Sequence, residues 1–296
     1  MHRSFPSQAW LVLAATLFLW SGNWIVARAV RDDISPAMAT AGRLCIVLLI
    51  LLPFVFSGLK KKIGRIDRQG WKTLLILGFF GGGLHLGLQW QGLHYTTATS
   101  GILYLSTSPL FILLLARPLL GESIGIRQWM GVGVSFVGIF IIATQGKIQE
   151  PGFNIGDLMA LGSMAMWAGY TVFLRLRRDT LEMPEFLVVI CSFGLAFMFP
   201  WVLYELNSTA TLSLSPIGAL AILYSAVGSL LLAYAGWSYV VTRLGAARAG
   251  VTMHLMPAIG VGLSALFLGE YPRWFHGAGI ALILAGVALS SWRRSA

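Results

Sequence analysis

The sequence predicts an all-α integral membrane protein of ten transmembrane helices, built as two five-helix repeats of opposite orientation. Three observations lead there. Of 296 residues, 57% are hydrophobic and only 11% are charged, against roughly a quarter charged in a soluble domain. The apolar residues fall into ten runs of spanning length, about 20 residues each, separated by short polar stretches. The second half of the chain echoes the first at a shift of 147 to 148 residues.

The runs lie near 8–28, 36–57, 70–93, 98–120, 125–144, 155–175, 184–205, 216–241, 246–268 and 272–292. A backbone in lipid must satisfy its own hydrogen bonds, so each run is expected to be helical. His2 and Arg3 ahead of the first run, with Ala27-Arg28-Ala29 behind it, have the outline of a secretory leader. The stretch from Ala9 to Val26 is too long for a leader's apolar core and carries Trp20, Asn23 and Trp24, so a retained first helix is expected. Lysine and arginine then orient the bundle: 16 fall on the N-terminal side, 4 on the other, and Arg43 lies inside the second run. Cytoplasmic loops collect positive charge, so both termini are expected on the cytoplasmic side. The net charge of +10 therefore belongs to loops, and no soluble domain exists to turn a basic face toward nucleic acid. Cys45 and Cys191 lie in apolar runs and indicate no disulfide framework.

A shift of 148 pairs Pro36 with Pro184, Pro109 with Pro257, Gly131 with Gly279, Gly138 with Gly286, and Leu120-Gly121-Glu122 with Leu268-Gly269-Glu270. A shift of 147 pairs Trp20 with Trp167, Gly22 with Gly169, Arg28 with Arg175 and Pro53 with Pro200. The chain thus divides into repeats at 1–147 and 148–296 within one membrane domain. Five spans per repeat is an odd number, so the second repeat is inverted, a plan that recurs in secondary transporters.

Trp20-Ser21-Gly22-Asn23, Ser108-Pro109 followed by Leu120-Gly121-Glu122, the echo at Pro257 and Leu268-Gly269-Glu270, and the glycine-rich fifth and tenth runs carry a resemblance over residues 8–292. The sequence resembles the ten-helix EamA-type members of the drug/metabolite transporter superfamily, and among them is similar to bacterial amino-acid exporters of the YddG type. The resemblance implies an efflux carrier; its motifs say little of the substrate.

Candidate site residues follow from position. Pro109 and Pro257 lie near the middle of the fourth and ninth runs. Each proline frees the carbonyl four residues earlier, at Leu105 and Met253, so paired hinges are expected, with tolerated kinks as the plainer reading. Trp20, Asn23 and Trp24 share one helical face, echoed by Trp167, Tyr170 and Thr171. The face suits a cavity wall or an interhelical packing seam. His85 and Gln89, four apart, and His254, three before Pro257, are polar groups at membrane depth, where ionisable residues are functional candidates. Neutral hydrogen-bonded histidines are the alternative. Tyr104 with Ser108, and Tyr234 with Trp237 and Ser238, either complete the wall or pack the core. Trp10, Trp71, Trp129, Trp201, Trp274 and Trp292 lie near run ends and read as an interfacial belt. Gly78, Gly82, Gly83, Gly87 and the paired glycines of runs five and ten read as close-packing positions, and Glu122 and Glu270 as turn caps. Arg43 is expected to snorkel to the surface or to pair with Asp32 or Asp33.

No Asp or Glu lies in the middle of a run, which disfavours lipophilic cations. Arg43 is the one basic residue within a run, which disfavours phosphorylated substrates. Aromatic walls with neutral polar tips suit small neutral or zwitterionic molecules such as amino acids, aromatic ones included. The expected partners are that small molecule and the lipid bilayer, with a monomeric chain, no cofactor and no metal. A translocase for lipid-linked or other amphipathic metabolites within the same fold is the alternative. An enzyme would need a nucleophile–base pair or metal motif, and a channel a ring of charges or carbonyls in an oligomeric pore; the chain carries neither signature.

Overall fold

The computed structural model describes residues 7–121, 125–147, 154–208, 215–244, 253 and 255–291, and every regular element among them is helical. Glu122, His254, Trp292 and the side chain of Ser238 lie outside the described residues. The helices are α1 (Ser7–Ala29), α2 (Pro36–Ile63), α3 (Arg68–Tyr95), α4 (Ala98–Leu119) and α5 (Ile126–Ala143). They continue with α6 (Ile155–Leu174), α7 (Met183–Ser208), α8 (Pro216–Trp237, running on through Ala233–Leu244), α9 (Leu255–Leu268) and α10 (Trp274–Ser291). Seven of them, α1 to α5 with α7 and α8, are long and apolar enough to cross a membrane; α6 is a further apolar helix of 20 residues, and α9 and α10 are apolar over 14 and 18. Their outer faces carry Leu49, Phe54 and Leu266, each at least three-quarters exposed. So broad an apolar surface is stable against lipid rather than water.

Local chemistry sets the helix ends, and it does so twice over. Asp67 Oδ1 accepts from the Gly70 N–H at the start of α3, and Ser215 Oγ accepts from the Gly218 N–H at the start of α8, positions related by the 148-residue shift. Pro36 and Pro216 occupy first-turn positions, where a missing N–H costs nothing. Gly121 and Gly269 adopt φ of 71° and 65°. That left-handed backbone is why both Leu-Gly-Glu triplets carry glycine where a helix stops.

The helix contacts come in exchanged pairs. α1 packs on α8 and α9, while α6 packs on α3 and α4; α2 packs on α7, and α5 on α10. Replacing each helix by its counterpart five along returns the same set. Two crossings bring backbones together through glycine. A Cβ on Gly194 of α7 would meet the Gly82 carbonyl of α3 at 2.4 Å, and one on Gly286 of α10 would meet the Gly131 carbonyl of α5 at 2.3 Å.

Three helices depart from α geometry. Gly78–Leu84 in α3 and Tyr224–Leu232 in α8 are π-helical, and Tyr104–Thr107 in α4 is a 3-10 turn. The two π stretches overlap under the 148-residue shift and end at matching positions, Leu84 and Leu232. Such irregularities concentrate at functional sites.

The α6–α7 loop is held by a partly buried ion pair. Arg177 donates from Nε and Nη2 to Asp179, with Nη2 at 2.7 Å, and its guanidinium lies 4.0 Å from the centre of the Phe186 ring. Burial pushes the Asp179 carboxyl up, but bonds from Arg177 and the Leu181 N–H outweigh this and hold it below the ordinary range. An aspartate lowered in this way contributes stability above its ordinary pKa of about 3.9 and loses it as pH falls through the lowered value. Asp179→Asn is expected to cost about 1–3 kcal/mol at neutral pH, with the gap to wild type narrowing below about pH 4. Melting curves in detergent from neutral to acid pH check this; a gap independent of pH would refute it.

Candidate functional site

The polar groups of the bundle interior converge on α3, directly after its π-helical stretch. His85 closes that stretch, its N–H reaching back five residues to the Phe80 carbonyl. Its Nδ1 lies 3.0 Å from the Ser163 carbonyl on α6, and Ser163 Oγ donates to the His85 carbonyl at 2.9 Å. Nδ1 also lies 2.9 Å from Ser163 Oγ, so the ring meets both the carbonyl and the hydroxyl of one residue. One turn on, Gln89 Oε1 accepts from Asn23 Nδ2 of α1 at 3.3 Å. Both pairs are buried, and the Asn23 Oδ1 acceptor is left without a partner.

Around these pairs stand aromatic rings from both halves of the chain. Trp20 lies 5.4 Å from Trp237 and edge-on to Tyr234 at 5.7 Å, and its Nε1 donates to the Ser229 carbonyl within the π stretch of α8. Trp167 lies 5.2 Å from His85 and 5.3 Å from Tyr170. Tyr234 packs against the apolar cluster that holds Tyr170, so the two aromatic groups are continuous.

The predicted face of α1 is thus divided. Trp20 turns to α8, Asn23 to α3, and Trp24 into the packed core beside Leu93 and Gly101, where it is only 2% exposed. Tyr104 belongs to the same core as Trp24 and Trp90, fully buried. Ser108 Oγ donates to Met164 Sδ at 3.4 Å. His254 and the Ser238 side chain lie outside the described residues.

Pro109 lies midway along α4, directly after its 3-10 turn, and Pro257 is the third residue of the described α9. They sit in the first turns of the segments Ser108–Leu120 and Leu255–Leu268. The carbonyls expected to be freed are taken: Leu105 accepts from the Ser108 N–H, and Met253 from the Met256 N–H at 3.0 Å. The same three-residue closure occurs at matching positions of the two halves.

Arg43 departs furthest from expectation. It neither reaches the surface nor meets Asp32 or Asp33. It is fully buried, donates from Nη2 to the Leu86 carbonyl at 3.0 Å, and lies 5.3 Å from the centre of the Trp90 ring. A lone cation at the wall of a helix is indistinguishable from a snorkelling one in sequence, so no signal there separated the two.

At one end of the bundle Glu270 ties three helices. Oε1 accepts from Arg28 Nε of α1 at 3.2 Å, and Oε2 from the Thr99 N–H of α4 at 3.2 Å and from Ser264 Oγ of α9 at 3.1 Å. The turn-cap expectation for Glu270 understated this role.

The family model described as the EamA-like transporter family matches residues 7–144 and again 154–292. The chain belongs to the EamA-like transporter family. Its two matches fall on the two halves whose helix contacts exchange. An uncharacterized transporter of Archaeoglobus fulgidus is 26% identical over 292 residues, covering 96% of this chain and 98% of the relative. A "Probable terminal-alkyne amino-acid exporter" of Streptantibioticus cattleyicolor is 27% identical, covering 70% of this chain and 68% of its own. A riboflavin transporter of Vibrio cholerae is 24% identical over 67% of this chain and 66% of its own. A solved crystal structure superposes with a TM-score of 0.59 at 22% identity, covering 96% of both chains, which places the fold. As an EamA-like protein the chain is a multi-pass membrane transporter.

Proposed function

We propose that this EamA-like transporter exports small neutral or zwitterionic metabolites, aromatic amino acids among them, across the bacterial inner membrane. Repeats 1–147 and 148–296 rock about a midplane site, with Pro109 and Pro257 as bending points. The observation that carries the reading is the pairing of neutral polar groups, Asn23 with Gln89 and His85 with Ser163, beside the rings of Trp20, Trp237, Tyr234, Tyr170 and Trp167. Rings bury an apolar side chain, and amide, hydroxyl and imidazole groups meet the polar end of the ligand. One relative named as an amino-acid exporter and another named for riboflavin, a flat aromatic molecule, support a pocket of this chemistry.

Uptake of labelled phenylalanine and tryptophan into proteoliposomes tests the reading, with empty liposomes as control. Saturable uptake is expected, with Trp20→Ala and Asn23→Ala each lowering it about tenfold, the equivalent of about 1.4 kcal/mol of contact. Pro109→Ala should slow turnover more than it weakens affinity. Uptake equal to that of empty liposomes would defeat the amino-acid assignment.

A further inference from the structure

Arg43 holds a full charge, and among the described residues no carboxylate meets it. Its Nη2 bonds to the Leu86 carbonyl and its plane rests near Trp90, yet Nε and Nη1, both fully enclosed, have no hydrogen-bond partner. A guanidinium offers five N–H donors in a fixed fork. Leaving two of its nitrogens unmet inside a protein is costly, and a strut between α2 and α3 would need only the Leu86 bond. The open donors call for an acceptor that arrives from elsewhere.

A complementary vacancy lies one turn along the same helix. Asn23 Oδ1 is a buried acceptor without a donor, held there because Asn23 Nδ2 is bonded to Gln89. Leu86, which anchors Arg43, and Gln89, which anchors Asn23, are three residues apart on α3, so their side chains and carbonyls lie within about 5 Å along its axis. α2 brings the unmet donors and α1 the unmet acceptor to this one turn. The aromatic wall continues from Asn23 through Trp20, one turn earlier on α1.

We infer that Arg43 and Asn23 form a head-group subsite for a zwitterion: the guanidinium Nε and Nη1 donate to the substrate carboxylate, and Asn23 Oδ1 accepts from its ammonium. The subsite rests on the function proposed above and narrows it to substrates that carry a carboxylate. Arginine forks match carboxylates in two parallel bonds, and the buried setting strengthens both. The Trp20 and Trp237 rings then face the side chain of the substrate.

The test uses purified full-length protein in proteoliposomes, with labelled phenylalanine as the transported probe. Phenylalanine, phenylalaninamide, phenethylamine and 3-phenylpropionate serve as competitors. The amide and the amine, which lack the carboxylate, are expected to compete at least about 30-fold more weakly than phenylalanine; 3-phenylpropionate, lacking only the ammonium, should lose less. Arg43→Met should abolish the preference of acid over amide, and Arg43→Lys should keep part of it. Acid and amide competing within about threefold of each other on wild type, or an undiminished preference in Arg43→Met, would overturn the subsite while leaving the amino-acid reading intact. If Arg43→Met does not fold, the wild-type competition series decides alone. Should phenylalanine not be transported at all, the proposed function fails separately, and thermal shifts of the wild-type protein take over. Stabilisation by 3-phenylpropionate but not by its amide would then uphold Arg43 as a carboxylate site, and no shift with either would overturn it.

Discussion

Gly194→Val is expected to lower the melting temperature of the detergent-purified protein by roughly 6–12 °C, the equivalent of about 3 kcal/mol. A Cβ at this position of α7 would come within 2.4 Å of the Gly82 carbonyl carbon and oxygen of α3, and the reciprocal Cβ on Gly82 would come within 2.3 Å of the Ile190 carbonyl. The obstacle on both sides is backbone, so rotamer changes cannot relieve it, and the helices must part. Parting them also displaces the π-helical stretch that ends at His85. Gly133→Ala is the control. Its added methyl meets nothing within 4 Å, and in a helix alanine is favoured over glycine by about 1 kcal/mol. A melting temperature for Gly194→Val within about 2 °C of wild type, less than the shift of a single kcal/mol, would show that α3 and α7 do not pack through these glycines.

Glu270→Ala is expected to cost about 2–4 kcal/mol, because it leaves three donors without their acceptor at once. Arg28 and Glu270 are only 15% and 17% exposed, and the same carboxylate takes the Thr99 N–H at the start of α4 and the Ser264 hydroxyl on α9. Glu270→Gln keeps an acceptor for one of these and should lose less. A double-mutant cycle with Arg28→Met measures the pair itself, with an expected coupling of about 1–3 kcal/mol. Zero coupling, or a Glu270→Ala protein that melts with wild type, would reduce the contact to an exposed ion pair of no consequence. Since Glu270 joins α1, α4 and α9 at one end of the bundle, its loss should also ease opening at that end. That change would appear as altered turnover with little change in apparent affinity.

Much of this molecule is local chemistry and was legible residue by residue. The spans follow from the rule that a backbone in lipid closes its hydrogen bonds within its own segment. Apolar runs separated by polar turns therefore mark helices without knowledge of any neighbour. Gly121 and Gly269 mark where α4 and α9 stop, because the left-handed turn they make excludes most other residues. Glycine at Gly82, Gly138 and Gly286 signals close crossings in the same way, although only the coordinates say which helix each one meets, and Gly194 came to light only there. The repeat was read from paired prolines and glycines and from the two Leu-Gly-Glu triplets.

The interior polar network was not legible, and the reason is physical. Buried side chains find partners across helices, at sequence separations that no periodicity encodes: Asn23 with Gln89 at 66 residues, His85 with Ser163 at 78, Trp20 with the Ser229 carbonyl at 209. Three residues on one face of α1 looked equivalent, yet the packing of α8, α3 and α4 sends Trp20, Asn23 and Trp24 to three different surroundings. The π-helical stretches passed unseen because no residue in Gly78–Leu84 or Tyr224–Leu232 forbids an α turn. Arg43 shows the division most plainly. The sequence by itself determined that a cation would lie within α2; whether it escaped to water, met an acid or was enclosed with open donors depended on what α3 presented to it. Segments in lipid satisfy their backbones alone, but they satisfy their side chains only together, and that second step belongs to the tertiary structure.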